Sequence, residues 1–165
     1  MSSDLQLEKL VKEVNKIFLE KNLTLGFAES CTGGLLSSLM TSQAGISKYF
    51  KGTVVSYSGE IKHSLLGVPK HLMKTLGEVS QPVAKHMAKG ARRSLNCDWS
   101  VAITGIAGPS GGTPEKPVGT VCFAVSGPGY EYVERCLIEG SDRVAIQQGS
   151  ALKALELLKN ALAAQ

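Results

Sequence analysis

The sequence predicts a three-layer α/β/α sandwich on a mixed central sheet. Three observations carry that expectation. Segments with helical apolar spacing alternate with short apolar strands. Two strand-like runs flank a Gly-Pro-Gly turn late in the chain. Polar, glycine-bearing segments also follow directly after three of the strands. Alternation of helix and strand implies parallel neighbours, and the one hairpin adds an antiparallel pair, so the sheet is mixed.

The elements follow in order. Leu7, Leu10, Val11, Val14, Ile17 and Phe18 recur at helical spacing, which makes residues 4–21 an amphipathic first helix. Thr24 to Ala28 is a short apolar strand, and Gly33-Gly34 opens a helix over Leu35 to Thr41. Gly52 to Tyr57 is β-branched and strand-like. Residues 59–66 form a short helix closed by Gly67 and Pro69. Ser80-Gln81-Pro82 starts a helix that runs to about Leu95, with Ser80 able to cap its free N–H groups. Trp99 to Thr104 is the next buried strand, followed by the loop Gly105 to Pro117. Val118 to Ser126 and Tyr130 to Ile138 form the hairpin, and Ser141-Asp142 begins a last helix with Leu152, Leu155, Leu158 and Leu162 on one face. No linker or repeat divides residues 1–165, so a single domain is expected.

Composition narrows the function classes. Eighteen glycines in 165 residues is about 11%, against roughly 7% in ordinary proteins, and they follow no fixed period. With 43% hydrophobic and 19% charged residues, neither disorder nor a fibrous chain fits. The four cysteines (Cys31, Cys97, Cys122, Cys136) contain no C-x-x-C pair and read as reduced thiols of a cytoplasmic protein. Met1 to Leu10 shows no leader's apolar run, and no stretch is apolar enough for a membrane span.

The net charge of +4 is uneven: Lys48 to Arg93 holds nine Lys/Arg against Glu60 and Glu78. That segment reads first as a solvated helical face and next as a site for a phosphorylated small molecule. Nucleic acid fits least, because no nucleic-acid-binding motif accompanies the charge.

Ligands of open α/β sheets bind beyond the carboxyl ends of the strands, where three segments stand out. In Glu29-Ser30-Cys31-Thr32-Gly33-Gly34, a hydroxyl stands at a strand–helix junction whose N–H groups suit an anion. The bland alternative is an N-cap by Ser30 or Thr32, and Cys31 is either a competing nucleophile or a packing residue. In Tyr57-Ser58-Gly59-Glu60-Ile61-Lys62, Lys62 stands among apolar residues, where an amine can lose its proton and act as a base. The alternatives are a solvent-facing lysine and a core tyrosine. The third segment, Thr104 to Thr113 with Lys116 to Thr120, carries Gly105, Gly108, Gly111 and Gly112 and offers N–H groups to a phosphate or oxyanion. A flexible surface loop is its alternative, although long structureless loops in compact domains are usually functional. Together the three suggest a Ser–Lys hydrolase in which Lys62 takes the Ser30 proton and backbone N–H groups hold the oxyanion.

The strings AESCTGG (28–34), YSGEIK (57–62), TGIAGPSGG (104–112) and EKPVGTV (115–121) resemble the C-terminal domain of the competence-damage-inducible CinA family, over roughly residues 5–160. Stand-alone members of that family are nicotinamide-nucleotide amidases. The resemblance implies hydrolysis of nicotinamide mononucleotide to nicotinate mononucleotide and ammonia, in pyridine-nucleotide (NAD) salvage. It places the nucleophile on Ser30 and the activating lysine on Lys62, with Tyr57 and Thr104 beside them. Thr32, Gly33, Gly34, Gly105, Gly108, Gly111 and Gly112 would face the nucleotide, and Arg143 would contact its phosphate. It implies no metal or other cofactor and a homodimer or higher homo-oligomer. Two positions depart from the family's pattern: Gly59 stands where Asn is usual, and Gln147 stands where a second arginine follows Arg143. They leave open a non-catalytic paralogue that binds a pyridine nucleotide without turnover. A nucleic-acid-binding accessory protein is a third alternative.

Overall fold

In the computed structural model, residues 3–165 are described, with side chains from Leu5 onward. Residues 1 and 2, the start of the segment read above as lacking a leader, lie outside the described residues.

The chain runs α1 (Ser3–Lys21), β1 (Leu25–Glu29), α2 (Leu35–Thr41), β2 (Phe50–Val55), α3 (Gly59–Leu66), α4 (Lys70–Leu76), α5 (Gln81–Leu95), β3 (Trp99–Gly105), β4 (Thr120–Gly127), β5 (Tyr130–Leu137) and α6 (Arg143–Ala163). The five strands form one mixed sheet in the order β2-β1-β3-β4-β5. β1 pairs in parallel with both β2 and β3, while β4 is antiparallel to β3 and β5.

Alternate residues of each strand serve opposite faces. Leu25, Phe27, Val101, Ile103, Val121, Phe123 and Val125 pack with α1, α2 and α6 in the larger core. Ala28, Ala102, Cys122 and Ala124 face α5, whose own Ala84, Ala88 and Ala91 complete a small-residue layer. Small side chains on both surfaces let α5 lie close to the sheet. Gly90 brings α5 equally close to the end of α3, since a Cβ there would sit 2.7 Å from the Leu66 backbone carbon. Two helical layers therefore sandwich the sheet, as the sequence predicts.

Several local expectations change. The second strand is Phe50–Val55 rather than Gly52 to Tyr57, because its register on β1 ends at Glu29↔Val55. Helix α4 was not expected; the proline at 69 does not end structure there but sits at the helix's N-cap. Ser80 occupies the N-cap of α5, yet its hydroxyl donates to the Gly77 carbonyl at 3.2 Å instead of accepting a helix N–H. Asp142 does cap α6, accepting from Ala145 N–H at 2.9 Å.

The α2 N-terminus has an unexpected cap. Neither Ser30 nor Thr32 caps it; the fully buried Glu29 carboxylate does. Its Oε2 accepts from Thr32 Oγ1 (2.7 Å), Gly34 N–H (3.0 Å) and Leu36 N–H (3.1 Å), and its Oε1 from Ser37 N–H (2.9 Å) and Ser37 Oγ (3.0 Å). The negative charge lies at the positive end of the helix, so five donors and the helix dipole offset its desolvation. Gly33 and Gly34 make the turn possible, with φ of 59° and 102°. Glu29→Gln puts an NH2 group opposite donors whichever way the amide is turned. It should cost about 2–3 kcal/mol in urea denaturation and speed amide exchange at Leu36 and Ser37; a stability equal to the parent's would show that the carboxylate does not anchor this turn.

Candidate functional site

Because β1, β2 and β3 are mutually parallel, their carboxyl ends emerge on one edge of the sheet. Ser30 leaves β1, Ser56 and Tyr57 leave β2, and Gly105 ends β3. The chain crosses over β1 between β2 and β3, so this edge is also where the strand order changes direction. Ser30 N–H donates to the Ile103 carbonyl at 3.0 Å and Ser56 N–H to the Glu29 carbonyl at 2.8 Å, which ties the three exits together.

Lys62 reaches this edge from the first turns of α3. Ser58 caps that helix, its hydroxyl accepting from Ile61 N–H at 3.3 Å. The Lys62 side chain is 1% exposed, against the solvent-facing alternative weighed above. Its Nζ lies 3.0 Å from Ser30 Oγ, 2.8 Å from the Ser56 carbonyl, 3.4 Å from the Tyr57 carbonyl and 3.3 Å from Glu78 Oε2. The setting is thus rich in acceptors rather than merely apolar. Burial pushes the Lys62 ammonium below the ordinary lysine range, and the Glu78 carboxylate pulls it back up.

Ser30 forms one wall of a cleft of about 300 Å³ that Cys31, Tyr57, Glu78, Thr104, the 105–111 turn and Arg143 complete. Lys62 lies behind Ser30, off the cleft surface. Thr104 is buried and donates through Oγ1 to the Glu78 carbonyl at 3.0 Å. Tyr57 is 60% exposed at the mouth rather than a core aromatic. Its hydroxyl accepts from Arg143 Nη2 at 2.8 Å, while Arg143 Nη1 donates to the Gly108 carbonyl at 2.7 Å. The N–H groups of Ala107, Gly108, Ser110 and Gly111, all residues of the cleft lining, make no hydrogen bond to a backbone carbonyl among the described residues. Gly105 keeps that wall close to the turn after β1; a Cβ there would lie 2.7 Å from Val121 and 3.1 Å from Cys31 Sγ.

Of the positions singled out in the sequence, Ser30, Tyr57, Thr104, Gly105, Gly108, Gly111 and Arg143 share the cleft. Thr32, Gly33, Gly34 and Gly112 are not part of its lining. Thr32 is buried against Glu29, and Gly33 and Gly34 shape the turn. Cys31 is 5% exposed, and burial pushes its thiol up to about 12, so it is a poor nucleophile at neutral pH. Two residues were missed. Glu78 counted only as one of two acids in a basic segment, and Gln147 only as a departure, yet Gln147 Nε2 donates to the Cys31 carbonyl at 2.8 Å and pins the turn. The basic segment itself is dispersed: Lys85 and Lys89 pair with Glu131 at 2.8 and 2.5 Å, and Arg92 and Arg93 donate to the Gly127 and Leu66 carbonyls.

Among the described residues no group of three or more His, Cys, Asp or Glu side chains gathers as a metal site, and no helix is long and apolar enough to cross a membrane. All four cysteines are free.

Residues 7–162 match the family described as the CinA C-terminal domain. A CinA-like protein of Prochlorococcus marinus (strain MIT 9515) is 46% identical over 154 residues, covering 92% of this chain and 36% of its own length. A CinA-like protein of Anaeromyxobacter dehalogenans (strain 2CP-C) is 52% identical over 139 residues, covering 84% and 34% respectively. The chain thus spans about a third of the length of the curated relatives it matches. Among solved structures, the competence/damage inducible protein CihA from Agrobacterium tumefaciens superposes with a TM-score of 0.91 at 35% identity, covering 94% of each chain. The competence damage-inducible protein A (ComA) from Klebsiella pneumoniae gives 0.91 at 30% identity, covering 95% of this chain and 97% of its own. The parallel-strand edge, the buried lysine behind a serine and the glycine-rich wall are therefore features of a chain that belongs to the family of the CinA C-terminal domain.

Proposed function

We propose that this chain is a Ser–Lys amidohydrolase that converts nicotinamide mononucleotide to nicotinate mononucleotide and ammonia, in pyridine-nucleotide salvage in the cytoplasm. The observation that carries the reading is the 3.0 Å contact between Ser30 Oγ and the 1%-exposed Lys62 Nζ, at the edge of a cleft walled by the glycine-rich 105–111 turn. Neutral Lys62 accepts the Ser30 proton as Oγ attacks the carboxamide carbon. Backbone N–H groups on the cleft wall stabilise the oxyanion. Lys62 passes the proton to the departing amine, ammonia leaves, and an ester on Ser30 remains. Water then attacks this ester, Lys62 takes its proton, and return of that proton to Ser30 Oγ completes the cycle. Arg143, at the cleft mouth and already a donor to Gly108 and Tyr57, supplies the positive charge for the substrate phosphate.

A second reading is binding of a pyridine nucleotide without turnover. The ion pair between Lys62 and Glu78 favours it, because a protonated lysine cannot act as the base. Saturable binding of nicotinamide mononucleotide with no ammonia above background, in a folded sample, would select this reading over hydrolysis.

Ammonia release from nicotinamide mononucleotide should fall about 10³-fold or more in Ser30→Ala. Loss confined to Cys31→Ala would move the nucleophile to the neighbouring thiol. Since the base is the neutral amine and burial lowers its proton affinity, kcat/KM should rise with pH and level off at a midpoint below the ordinary lysine value of 10.5. A flat profile, or the same rising limb in Lys62→Met, would remove Lys62 from that role.

A further inference from the structure

Glu78 is a half-exposed carboxylate on the short turn between α4 and α5, and it rests on an amine that is itself shut off from water. Its side chain is 47% exposed, while Lys62 beneath it is 1% exposed. Its backbone is held, since its carbonyl accepts from the buried Thr104 hydroxyl at 3.0 Å. Its carboxylate is placed by an absence. A Cβ at Gly59, the first residue of α3, would stand 2.7 Å from Glu78 Oε1 and 3.2 Å from its carboxyl carbon. A side chain at 59 and the carboxylate over Lys62 therefore compete for one space.

Among the described residues no other charge is so placed. Cys31, on the turn after β1, keeps a neutral thiol, its proton held by burial. Glu29 is committed to the N-terminus of α2, and Arg143 of α6 to Tyr57 and Gly108. On α3 itself Glu60 and His63 are exposed, as are Lys70, His71 and Lys74 of α4. From α5, Arg93 reaches only the far end of α3, at the Leu66 carbonyl. Lys116 is bonded to the Leu76 carbonyl beside the Glu78 turn.

We propose that Glu78 is the positioning residue of the Ser30–Lys62 pair, and that the bare backbone at Gly59 is what lets its carboxylate close over Lys62 and hold that amine's proton. This rests on reading Lys62 as the base. An acid over the base aims Nζ at Ser30 and connects a buried amine to water. It also makes the base harder to deprotonate, so the pair sets the pH at which the site becomes competent.

The test is a titration of Lys62 by NMR of the lysine side-chain carbons in the full chain, with Lys62→Met identifying the signal. It needs no turnover, so it stands even if no amide is hydrolysed and the amidase reading fails. Glu78→Gln should lower the Lys62 midpoint by about one pH unit, since an opposite charge within 4–6 Å is lost. Glu78→Asp should restore part of that shift. Gly59→Ala keeps a helix-compatible backbone, because Gly59 has no positive φ and the atoms it displaces are the end of a flexible side chain. It should lower the midpoint in the same direction, with no further effect when added to Glu78→Gln. If the wild-type chain is active, the rising limb of kcat/KM should move to lower pH in both variants, whereas a merely structural role would lower the rate equally at every pH. A Lys62 midpoint unchanged in Glu78→Gln, or a Gly59→Ala midpoint equal to the wild type, would overturn the proposal.

Discussion

The 3.0 Å contact between Lys62 Nζ and Ser30 Oγ joins groups with almost no water around them, and the surrounding structure answers to that constraint. An amine taken out of water must find its hydrogen bonds within the protein. Here the carbonyls of Ser56 and Tyr57 supply two, so β2 has to stop at Val55 and turn. Helix α3 has to begin at once, at Gly59, for residue 62 to point back at the sheet edge. The turn between α4 and α5 then has to deliver Glu78 over the same atom.

The serine side is fixed by an opposite device. The buried Glu29 carboxylate precedes Ser30, and its five donors fasten the start of α2. Gln147 holds the following carbonyl from α6. Anchors on both sides of Ser30 fix the backbone that carries its hydroxyl beside Lys62 and the cleft. The outer wall contrasts with this rigidity. Tyr57 and Arg143 stand at the mouth, bonded to each other, with Arg143 also donating to the Gly108 carbonyl, where an entering ligand can reach them. A fixed Ser30–Lys62 pair beside an accessible, charged rim is an arrangement that suits the proposed positioning of a substrate.

The fold was legible because its apolar periodicity is strong: α1, α3, α5 and the hairpin follow from spacing and turn residues. Glycine-bearing segments after parallel strands led directly to Ser30, Lys62 and the 105–111 turn, because a sheet edge gathers whatever leaves its strands. What escaped depends on burial and packing rather than on pattern. Glu29 and Thr32 sit in the same short string, but only the buried turn shows that one caps α2 and the other serves it. Glu78 lies sixteen residues from Lys62, and nothing in local pattern brings an acid on a surface turn to a lysine on another helix. Tyr57 looked like a core aromatic, since its exposure depends on where β2 ends. Gly59 looked like a lost side chain, and only packing shows that its emptiness is occupied.

On the proposed mechanism Ser30 carries a covalent intermediate during turnover of nicotinamide mononucleotide. Acid-quenching the chain in mid-reaction and locating the adduct by mass spectrometry of its peptides should find a nicotinate-mononucleotide ester on Ser30, absent from Ser30→Ala. Steady ammonia release with the adduct on Cys31, or with undiminished activity in Ser30→Ala, would contradict it.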